Sequence, residues 1–433
     1  GNRHLSTIPF GQSPTRQEPV RASQQPAWRS TNYDWGMASR PSIIPAKVAS
    51  VLRLASMAWS LGIFIAAYRV ISPFAAPRDG RILFMTDAAA TPKGNLACVL
   101  DAVRADVGDR ADIAVSARRS LWAPRGLWSS IRVAYRARTS RVIVIDDYVP
   151  ELNMVTLHPN TAFIQLWHAS GAFKKVGFAR AGLPGGPRKG STAHRGYTTA
   201  IVSADGVRKA YATAFNTTVG KIKATGIPKT DKLFDKRWVF DSRERVRREL
   251  GIPAGARVSL VATTFHGHGQ PTATVGASHI NWATVADGLP HEYILVKNHP
   301  FTRGIKSNYP RHPRVIDVTN RDDIDAIMAA SDVVVTDFSS VIFDAAMLSK
   351  PVVYLFADTN DYEANRGFFF DVESYIWGPK ANNERELVAA IANPTVDKAV
   401  FDAAYERHLA ACDGHATERV VRGLILPAAG LTP

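Results

Sequence analysis

The alternation of short β-branched apolar runs with helical segments, from residue 81 onward, constrains the fold of this chain most. Residues 81–86 (RILFMT) and 141–145 (RVIVI) are two such runs. Continuous apolar runs of this length are typical of strands buried on both faces of a parallel sheet. Because helical segments lie between them, the pattern predicts an α/β fold with helices covering both faces of parallel sheets.

The pattern forms two series, which predict two Rossmann-like domains. In the first, further strands are predicted at 161–167 and 221–225, with a helix at 204–215. The second follows a helix at 241–250, for which Asp241 is the expected N-cap and Gly251 the stop. Its predicted strands are 258–263, 293–297, 315–318, 333–336 and 352–356, and its predicted helices are 322–330, 340–348, 383–392 and 418–425. Ligands of open α/β sheets bind beyond the carboxyl ends of the strands, so functional residues are expected there.

Positive charge is concentrated in two parts of the chain, which has a formal net charge of +15. Residues 1–81 hold ten basic and three acidic residues, and residues 158–237 hold fourteen and three. Such an excess suits nucleic acid, an anionic membrane or a phosphorylated substrate. The stretch 1–45 is rich in Arg, Gln, Ser and Pro and lacks apolar periodicity, so it is predicted to be a disordered basic tail.

Residues 46–78 are predicted to contain an amphipathic helix at a membrane interface. Residues 54–68 carry no charge, but this run is shorter than the roughly 20 apolar residues of a spanning helix. Apolar residues recur at helical spacing, at Val51, Leu54, Ala58, Leu61 and Ile65. Trp59 and Tyr68 suit a headgroup boundary, and the basic tail favours an anionic surface. The alternative is a helix packed on the body of the protein.

The first candidate site follows the predicted strand that ends near residue 167. The sequence there is QLWHASGAFKKVG, residues 165–177. His168 lies at the carboxyl end of that strand, where a general base is expected, and Lys174 and Lys175 can neutralise a phosphorylated ligand. The alternative is a histidine that only hydrogen-bonds at a domain edge, and the flanking glycines and lysines favour the functional role.

Two further strand ends carry polar residues suited to an anion. In VKNHP, a β-rich run ends in His299, which can donate a hydrogen bond to a phosphate oxygen beside Lys297. In TDFSS, a strand leads through Asp337, Ser339 and Ser340 into a helix, whose N-terminus attracts anions. A plain capping role of Asp337 or Ser339 is the alternative, and it is compatible with anion binding.

Several common catalytic motifs are absent from the sequence. There is no GxxxxGK[ST] loop, no GxSxG elbow and no HExxH pair, and the two cysteines lack zinc-ligand spacing. The pairs Asp146-Asp147 and Asp322-Asp323 are weak candidates for holding a metal. Chemistry without a metal or cofactor is therefore expected. Nucleic acid is not an expected partner, because the sequence shows neither a helix-turn-helix signature nor a basic patch interleaved with aromatics.

Together these motifs resemble the CDP-glycerol glycerophosphotransferase family, the teichoic-acid primases and polymerases. The QLWHG and KK-G elements of that family are similar to residues 165–177, and its G-x-P-R-x-D element is similar to residues 226–231. Four later family elements resemble residues 297–300, 336–340, 366–371 and 413–419, and the resemblance covers about residues 140–425 in the family's order. Departures from the family pattern occur at Ala169, Lys229, His266 and Lys297-Asn298.

The resemblance implies a GT-B-like fold, in which an acceptor domain at 79–238 and a nucleotide-donor domain at 239–433 face a cleft. It implies transfer of glycerol phosphate from CDP-glycerol to a hydroxyl of a lipid-linked or polymeric, phosphate-rich acceptor, with release of CMP. His168 is the expected base, and His299 is the second expected catalytic residue. The other expected ligand contacts are Lys297, Asp337, Ser339 and Ser340 for the donor diphosphate, Gly226, Pro228, Asp231, Arg366 and Glu418 for the nucleotide, and Lys174 and Lys175 for the acceptor phosphate.

Two alternatives share this fold. One is a ribitol phosphotransferase that uses CDP-ribitol. The other is a GT-B glycosyltransferase that uses a sugar nucleotide, in which Glu418 would contact the ribose. In the phosphotransferase reading, the expected location is the cytoplasmic face of a bacterial membrane, with peripheral attachment to its anionic surface.

Overall fold

Two parallel sheets frame the protein in the computed structural model, which describes residues 46–120, 123–183, 186–188, 190–266, 274–299, 302, 311–356 and 367–432. The chain divides into two units, residues 1–49 and 50–433. Of the first unit, the structure describes only the backbone that begins the first helix. The predicted disordered tail, 1–45, lies outside the described residues.

The first sheet has six parallel strands. They are β1 (Arg78–Thr86), β2 (Asp112–Ala117), β3 (Ser140–Ile145), β4 (Ala162–Gln165), β5 (Thr199–Val202) and β6 (Ile222–Ala224). Their order is β2-β1-β3-β4-β5-β6. The inner strands are buried on both faces, as the unbroken apolar runs predicted.

The second sheet also has six parallel strands, and a short antiparallel pair lies apart from it. The strands are β7 (Arg257–Val261), β8 (Phe265–His266), β9 (Thr274–Val275), β10 (Glu292–Val296), β11 (Val315–Asp317), β12 (Val333–Thr336), β13 (Val352–Leu355) and β14 (Lys380–Ala381). The sheet order is β11-β10-β7-β12-β13-β14, with β8 paired to β9. Two parallel α/β sheets confirm the predicted fold class.

Helices connect the strands and cover both sheets. They are α1 (Ala46–Ile71), α2 (Gly94–Val107), α3 (Leu127–Thr139), α4 (Pro150–Asn153), α5 (Arg208–Ala214), α6 (Lys236–Glu249), α7 (Trp282–Asp287), α8 (Ile324–Ala330) and α9 (Val341–Met347), followed by Glu384–Ala392, Lys398–Leu409, Ala416–Val420 and Leu426–Ala428. Residues Val421–Ile425 form a π-helical turn, so the helix predicted at 418–425 is interrupted there.

The start of α6 corrects one sequence prediction. The helix begins at Lys236, and its N-cap is Asp235, whose side chain accepts hydrogen bonds from the N–H groups of Arg237 and Trp238. Asp241, the predicted N-cap, lies inside the helix. The apolar periodicity over 236–240 is weak because the segment opens with two basic residues, so the pattern placed the N-cap six residues too late.

One face of α1 packs on the first domain and the other is exposed. Ser60, Phe64 and Tyr68 are buried, and the Tyr68 hydroxyl donates to the Thr156 carbonyl (3.3 Å). Trp59 is 71% exposed, and Val51 and Leu54 are exposed beside it. The helix therefore combines packing on the body with an apolar outer face. The assignment of Tyr68 to a headgroup boundary is wrong, because its ring belongs to the core.

Among the described residues, only Leu54–Ile71 is long and apolar enough to cross a membrane by length and composition. Only 17% of this segment is buried, so most of its apolar surface faces outward.

The last described residues return to the first sheet. Val420, Ile425 and Leu426 lie in the same buried cluster as Ile82 of β1 and Leu96 of α2. Gly80 donates its N–H to the carbonyl of Ala429 (2.7 Å). The chain therefore closes the core of the first sheet with residues that follow the whole second sheet. The predicted limits 79–238 and 239–433 stay a prediction.

Candidate active site

The peptide before His168 is held in an uncommon conformation by two buried amides. Trp167 has φ +54°, a left-handed conformation that is costly for a bulky side chain and that tends to occur at functional sites. Gln165 Oε1 accepts from the Trp167 N–H (2.8 Å). Asn95, in the first turn of α2, donates through Nδ2 to the carbonyls of Leu166 (3.3 Å) and Trp167 (2.8 Å). These bonds fix the backbone from which His168 projects.

His168 lies at the carboxyl end of β4, as predicted, and its tautomer is set by a carbonyl. Its Nδ1 lies 3.2 Å from the Asp146 carbonyl oxygen, which can only accept a hydrogen bond. Nδ1 therefore carries the proton and Nε2 offers a lone pair. The imidazole stacks on the Trp167 indole with ring centroids 4.2 Å apart. An exposed imidazole oriented in this way can accept a proton from a hydroxyl.

Asp146 adds a second titratable group at this edge. Its Oδ1 is buried and has no hydrogen-bond partner among the residues that the structure describes. Burial raises the pKa of Asp146 to about 6, against the opposing effect of a hydrogen bond with Thr86. The sequence offered Asp146 only as a weak metal candidate. The structure places it at the end of β3, with its backbone touching His168.

The loop that follows His168 reaches the second domain. Ser170 donates to Asp344 of α9 (3.0 Å), and the Ala172 N–H donates to Nδ1 of His408 (3.3 Å). Gly171 has φ +63°, and a Cβ there would lie 2.5 Å from the Phe343 ring. Glycine is therefore required for the loop to pass against α9. Burial raises the pKa of Asp344, with the charge of Lys229 as the largest opposing effect.

The two lysines lie where this loop meets the segment after residue 366. The backbones of Lys174 and Phe368 pair in an isolated antiparallel β-bridge, and the Lys175 N–H donates to the Gly367 carbonyl (3.0 Å). Both lysines line a cavity of about 590 Å³ next to Trp167. Arg366, the arginine of the RGFFFD motif, lies outside the described residues.

The turn after β12 places the predicted anion site at the carboxyl end of the second sheet. The Asp337 carboxylate accepts from the Thr264 N–H (2.9 Å) and hydroxyl (2.7 Å). Burial raises the pKa of Asp337, and Thr264 and the charge of Lys174 act in the opposite direction. Asp337 thus ties the β7 end to this turn. Ser340 is the N-cap residue of α9 without a side-chain capping bond, and Ser339 Oγ accepts weakly from Val341 (3.4 Å).

Lys297 and His299, at the end of β10, form hydrogen bonds that involve backbone carbonyls. Lys297 is buried and its ammonium donates to the Arg321 carbonyl. The carbonyl of His299 accepts from the N–H (2.9 Å) and hydroxyl (2.8 Å) of Thr302. Lys297 therefore supports this strand end in addition to any charge that it contributes.

Three of the residues predicted to contact the nucleotide, Gly226, Pro228 and Asp231, contact the segment that returns to the first sheet. Asp231 accepts from the N–H groups of Ala416 (2.9 Å) and Thr417 (2.7 Å), and Pro228 accepts from the Thr417 hydroxyl. A Cβ on Gly226 (φ +80°) would lie 2.2 Å from the Ala411 carbonyl oxygen. Two motifs almost 190 residues apart in sequence thus form one contact that directs the chain back to the first sheet.

Glu418 lies on the helix Ala416–Val420, which also contains Thr417, and it forms an ion pair with Arg422 (3.0 Å). A nucleotide-binding role for Gly226, Pro228, Asp231 and Glu418 stays a prediction. Within the described ranges, no group of three or more His, Cys, Asp or Glu side chains is arranged to hold a metal ion. Chemistry without a metal likewise stays a prediction.

Comparison with known proteins agrees with the motif order. The sequence profile of the family described as CDP-Glycerol:Poly(glycerophosphate) glycerophosphotransferase matches residues 74–426. The chain belongs to this family. Its fold is similar to that of the wall teichoic acid polymerase TagF, with a TM-score of 0.66 at 17% identity, over 88% of this chain and 98% of that one. The predicted GT-B-like arrangement is thereby confirmed.

The chain is also similar to two relatives that are named as teichoic acid polymerases. It is 32% identical to the teichoic acid poly(ribitol-phosphate) polymerase of Bacillus spizizenii, over 81% of this chain and 57% of that protein. It is 30% identical to the teichoic acid ribitol-phosphate polymerase TarL of Staphylococcus aureus, over 84% of this chain and 65% of that one. The chain thus spans less than two thirds of the length of these two relatives.

Sequence reasoning missed Asn95 and His408. Asn95 lies in a segment, 94–107, for which no helix was predicted, and its polar contacts depend on chain segments about 70 and 134 residues away. His408 lies in the helix Lys398–Leu409, which was also missed, and it is fully buried. No local pattern marks either residue.

Proposed function

We propose that this protein transfers an alditol phosphate from a CDP-alditol to a hydroxyl of a teichoic acid-type acceptor, with release of CMP. One observation carries the proposal: the loop that begins at His168 crosses to the second domain, so that an oriented imidazole and two lysines belong to one region. Lys174 lies close enough to the turn after β12 for its charge to lower the pKa of Asp337. This proximity supports a common site for the proposed base, the two lysines and the turn after β12.

The reaction needs a base for the acceptor hydroxyl. His168 Nε2 takes the hydroxyl proton while the oxygen forms a bond to the β-phosphorus of the donor, and the bond from that phosphorus to the oxygen of CMP breaks. The carbonyl of Asp146 steadies the imidazolium that forms, because it accepts from Nδ1. General-base assistance of this kind contributes roughly 10²–10⁴-fold.

Charge on the donor diphosphate is met in the second domain. Ser339 and Ser340 supply hydroxyls at the turn after β12, and His299 supplies a donor at the end of β10. Lys297 and Asp337 support these two turns through Arg321 and Thr264. The predicted nucleotide contacts Gly226, Pro228, Asp231, Arg366 and Glu418 complete the proposed donor side.

The alditol is the finer part of the proposal. The motif resemblance favours CDP-glycerol, and CDP-ribitol is the second candidate. The relatives named as ribitol-phosphate polymerases are 30–32% identical to this chain. A relative named teichoic acid glycerol-phosphate primase is 24% identical. The higher identity to the ribitol-phosphate polymerases favours CDP-ribitol over the CDP-glycerol that the motif resemblance implies.

The exposed face of α1 supports attachment to the cytoplasmic face of the membrane. Trp59, Leu54 and Val51 form its apolar surface, while Phe64 and Tyr68 anchor the helix to the first domain. A helix of this kind lies at an interface with its apolar face among the lipids. A lipid-linked acceptor would then be held near the site.

A donor panel tests the proposal. The protein is incubated with a lipid-linked alditol phosphate acceptor and with CDP-glycerol, CDP-ribitol or UDP-sugars, and the nucleotide released is measured. CMP release that requires the acceptor supports the proposal and names the donor. Release of UDP with no CMP from either alditol donor would instead support the GT-B glycosyltransferase.

A further inference from the structure

A cavity of about 590 Å³ lies on the first domain beside the Trp167–His168 peptide. This volume is within the range of small-molecule sites, roughly 300–1,000 Å³. Its charged and polar lining includes Asp147, Tyr148, Lys174, Lys175, Arg180 and His194. Three cations face one carboxylate, so the lining has a positive balance. At the same time, it contains groups that bind hydroxyls.

One wall of the cavity is closely packed. His194 has φ +58°, and its ring packs against those of Tyr148 (centroids 5.8 Å apart) and Phe215 (5.0 Å). Gly177 has φ +50°, and a Cβ there would lie 2.2 Å from the Ala214 carbonyl oxygen and 3.1 Å from the His194 ring. The cavity is therefore formed before any ligand binds.

The hydrogen-bond network defines the chemistry of His194. Gln165 Nε2 donates to the Tyr197 hydroxyl (3.1 Å), because its own Oε1 accepts from Trp167. The Tyr197 hydroxyl also lies 3.2 Å from Nδ1 of His194, so Nε2 is the ring nitrogen left for a ligand. Burial lowers the pKa of His194 to about 4, so the ring is neutral at pH 7.

The same network joins the cavity to the proposed base. Gln165 Nε2 also donates to the Asp147 carbonyl (3.2 Å), and the Tyr148 N–H donates to Asp147 Oδ1 (2.7 Å). Asp147 directly follows Asp146, whose carbonyl accepts from His168. A ligand that contacts Asp147 in the cavity therefore lies next to Asp146, whose carbonyl orients the His168 imidazole.

We propose that this cavity binds one phosphodiester-linked alditol unit of the acceptor, with Lys175 and Arg180 on the phosphate and Asp147, Tyr148 and His194 on the alditol hydroxyls. Cations bind phosphate by charge-assisted hydrogen bonds, and a carboxylate with neutral donors suits a polyol. The unit seated here precedes the terminal hydroxyl that His168 deprotonates. This inference rests on the proposed function, because it assigns the acceptor side of the same reaction.

The test compares variants of the full chain with synthetic oligo(glycerol phosphate) and oligo(ribitol phosphate) as acceptors. Arg180→Gln is expected to raise the acceptor KM about 10- to 100-fold, the loss typical of one hydrogen bond to a charged group, and to leave the donor KM unchanged. Arg180→Lys keeps the charge and should recover most of the affinity. Lys209→Gln removes an exposed cation of α5 outside the cavity and should leave both KM values unchanged.

Direct binding separates the two proposals. Calorimetry with the oligomers and no donor should show the same loss for Arg180→Gln, and free glycerol or ribitol should bind far more weakly than the phosphorylated oligomers. If wild type releases no CMP from any CDP-alditol, the proposed function fails while calorimetry still reports on the cavity. If wild type is active and both Arg180→Gln and Lys175→Gln fold with unchanged acceptor KM, the cavity assignment is wrong.

Discussion

Replacement of Asn95 by aspartate tests whether the geometry of the Trp167 peptide determines catalysis. Asn95 is buried, and its Nδ2 donates to the carbonyls of Leu166 and Trp167, while its Oδ1 accepts from the Lys229 N–H (2.9 Å). Asn95→Asp keeps the shape and the bond to Lys229 but replaces the donor by an oxygen. The buried carbonyls of Leu166 and Trp167 then lose their amide donor and lie instead against a carboxylate oxygen, which can only accept a hydrogen bond.

The expected loss follows from these contacts. A buried group left without its partner costs about 1–3 kcal/mol, so two of them are expected to lower the free energy of unfolding by about 2–6 kcal/mol. The left-handed Trp167 conformation itself stores about 1–3 kcal/mol, which the native bonds hold in place. Without them the backbone relaxes and His168 moves. A displacement of about 1 Å is enough for a loss near 10²-fold in kcat.

Two measurements check this prediction. Urea unfolding gives the stability, and CMP release at saturating donor and acceptor gives kcat for the folded protein. Asn281→Ala is the control, because it removes an N-cap of α7 in the second domain, costs about 1 kcal/mol and should leave kcat unchanged. A destabilised Asn95→Asp enzyme with wild-type kcat would refute the link between this peptide and catalysis.

Three further predictions follow from the same structure. His168→Ala should lower kcat roughly 10²–10⁴-fold with an unchanged urea midpoint, and near-wild-type CMP release would remove the base assignment. The double variant Leu54→Ser/Trp59→Ser should reduce sedimentation with anionic liposomes and leave turnover of a soluble acceptor intact. The control Phe240→Ser, which removes an exposed aromatic side chain of α6, should change neither. Equal sedimentation of wild type, the double variant and the control would contradict membrane attachment through α1. Burial lowers the pKa of His408 to about 3, so the unfolded chain binds its proton first, and the contribution of His408 to stability should fall as pH drops below about 6.5, by about 2 kcal/mol at pH 5. His408→Gln should therefore lose about 2 kcal/mol less than wild type between pH 7 and pH 5 in urea titrations, and an equal loss in both proteins would disprove the assignment.

The strands could be predicted from sequence where both faces are buried. β1, β3, β10, β12 and β13 each contain an unbroken apolar run, and these runs stand out without any tertiary information. β2 reads DIAVSA and is only partly buried at the sheet edge, so it lacks such a run. β5, TAIV, is too short to rise above the surrounding polar residues.

The candidate site shows the same division. His168 could be predicted because parallel strands bring their carboxyl ends to one edge, and that rule needs only the position of β4. The contacts of Asp337 with Thr264 and of Asp231 with Thr417 join segments 73 and 186 residues apart. Local patterns contain no information about such pairs, so these hydrogen bonds between distant segments could not be predicted from the sequence.

The return of residues 416–432 to the first sheet has a consequence for synthesis of the protein. Val420, Ile425 and Leu426 complete a core whose other members, such as Ile82 and Leu96, leave the ribosome more than three hundred residues earlier. The first domain therefore cannot finish folding as it emerges, and its apolar surface stays open to chaperones until translation reaches this segment. A stop codon before residue 416 would damage the domain made first and the domain made last alike.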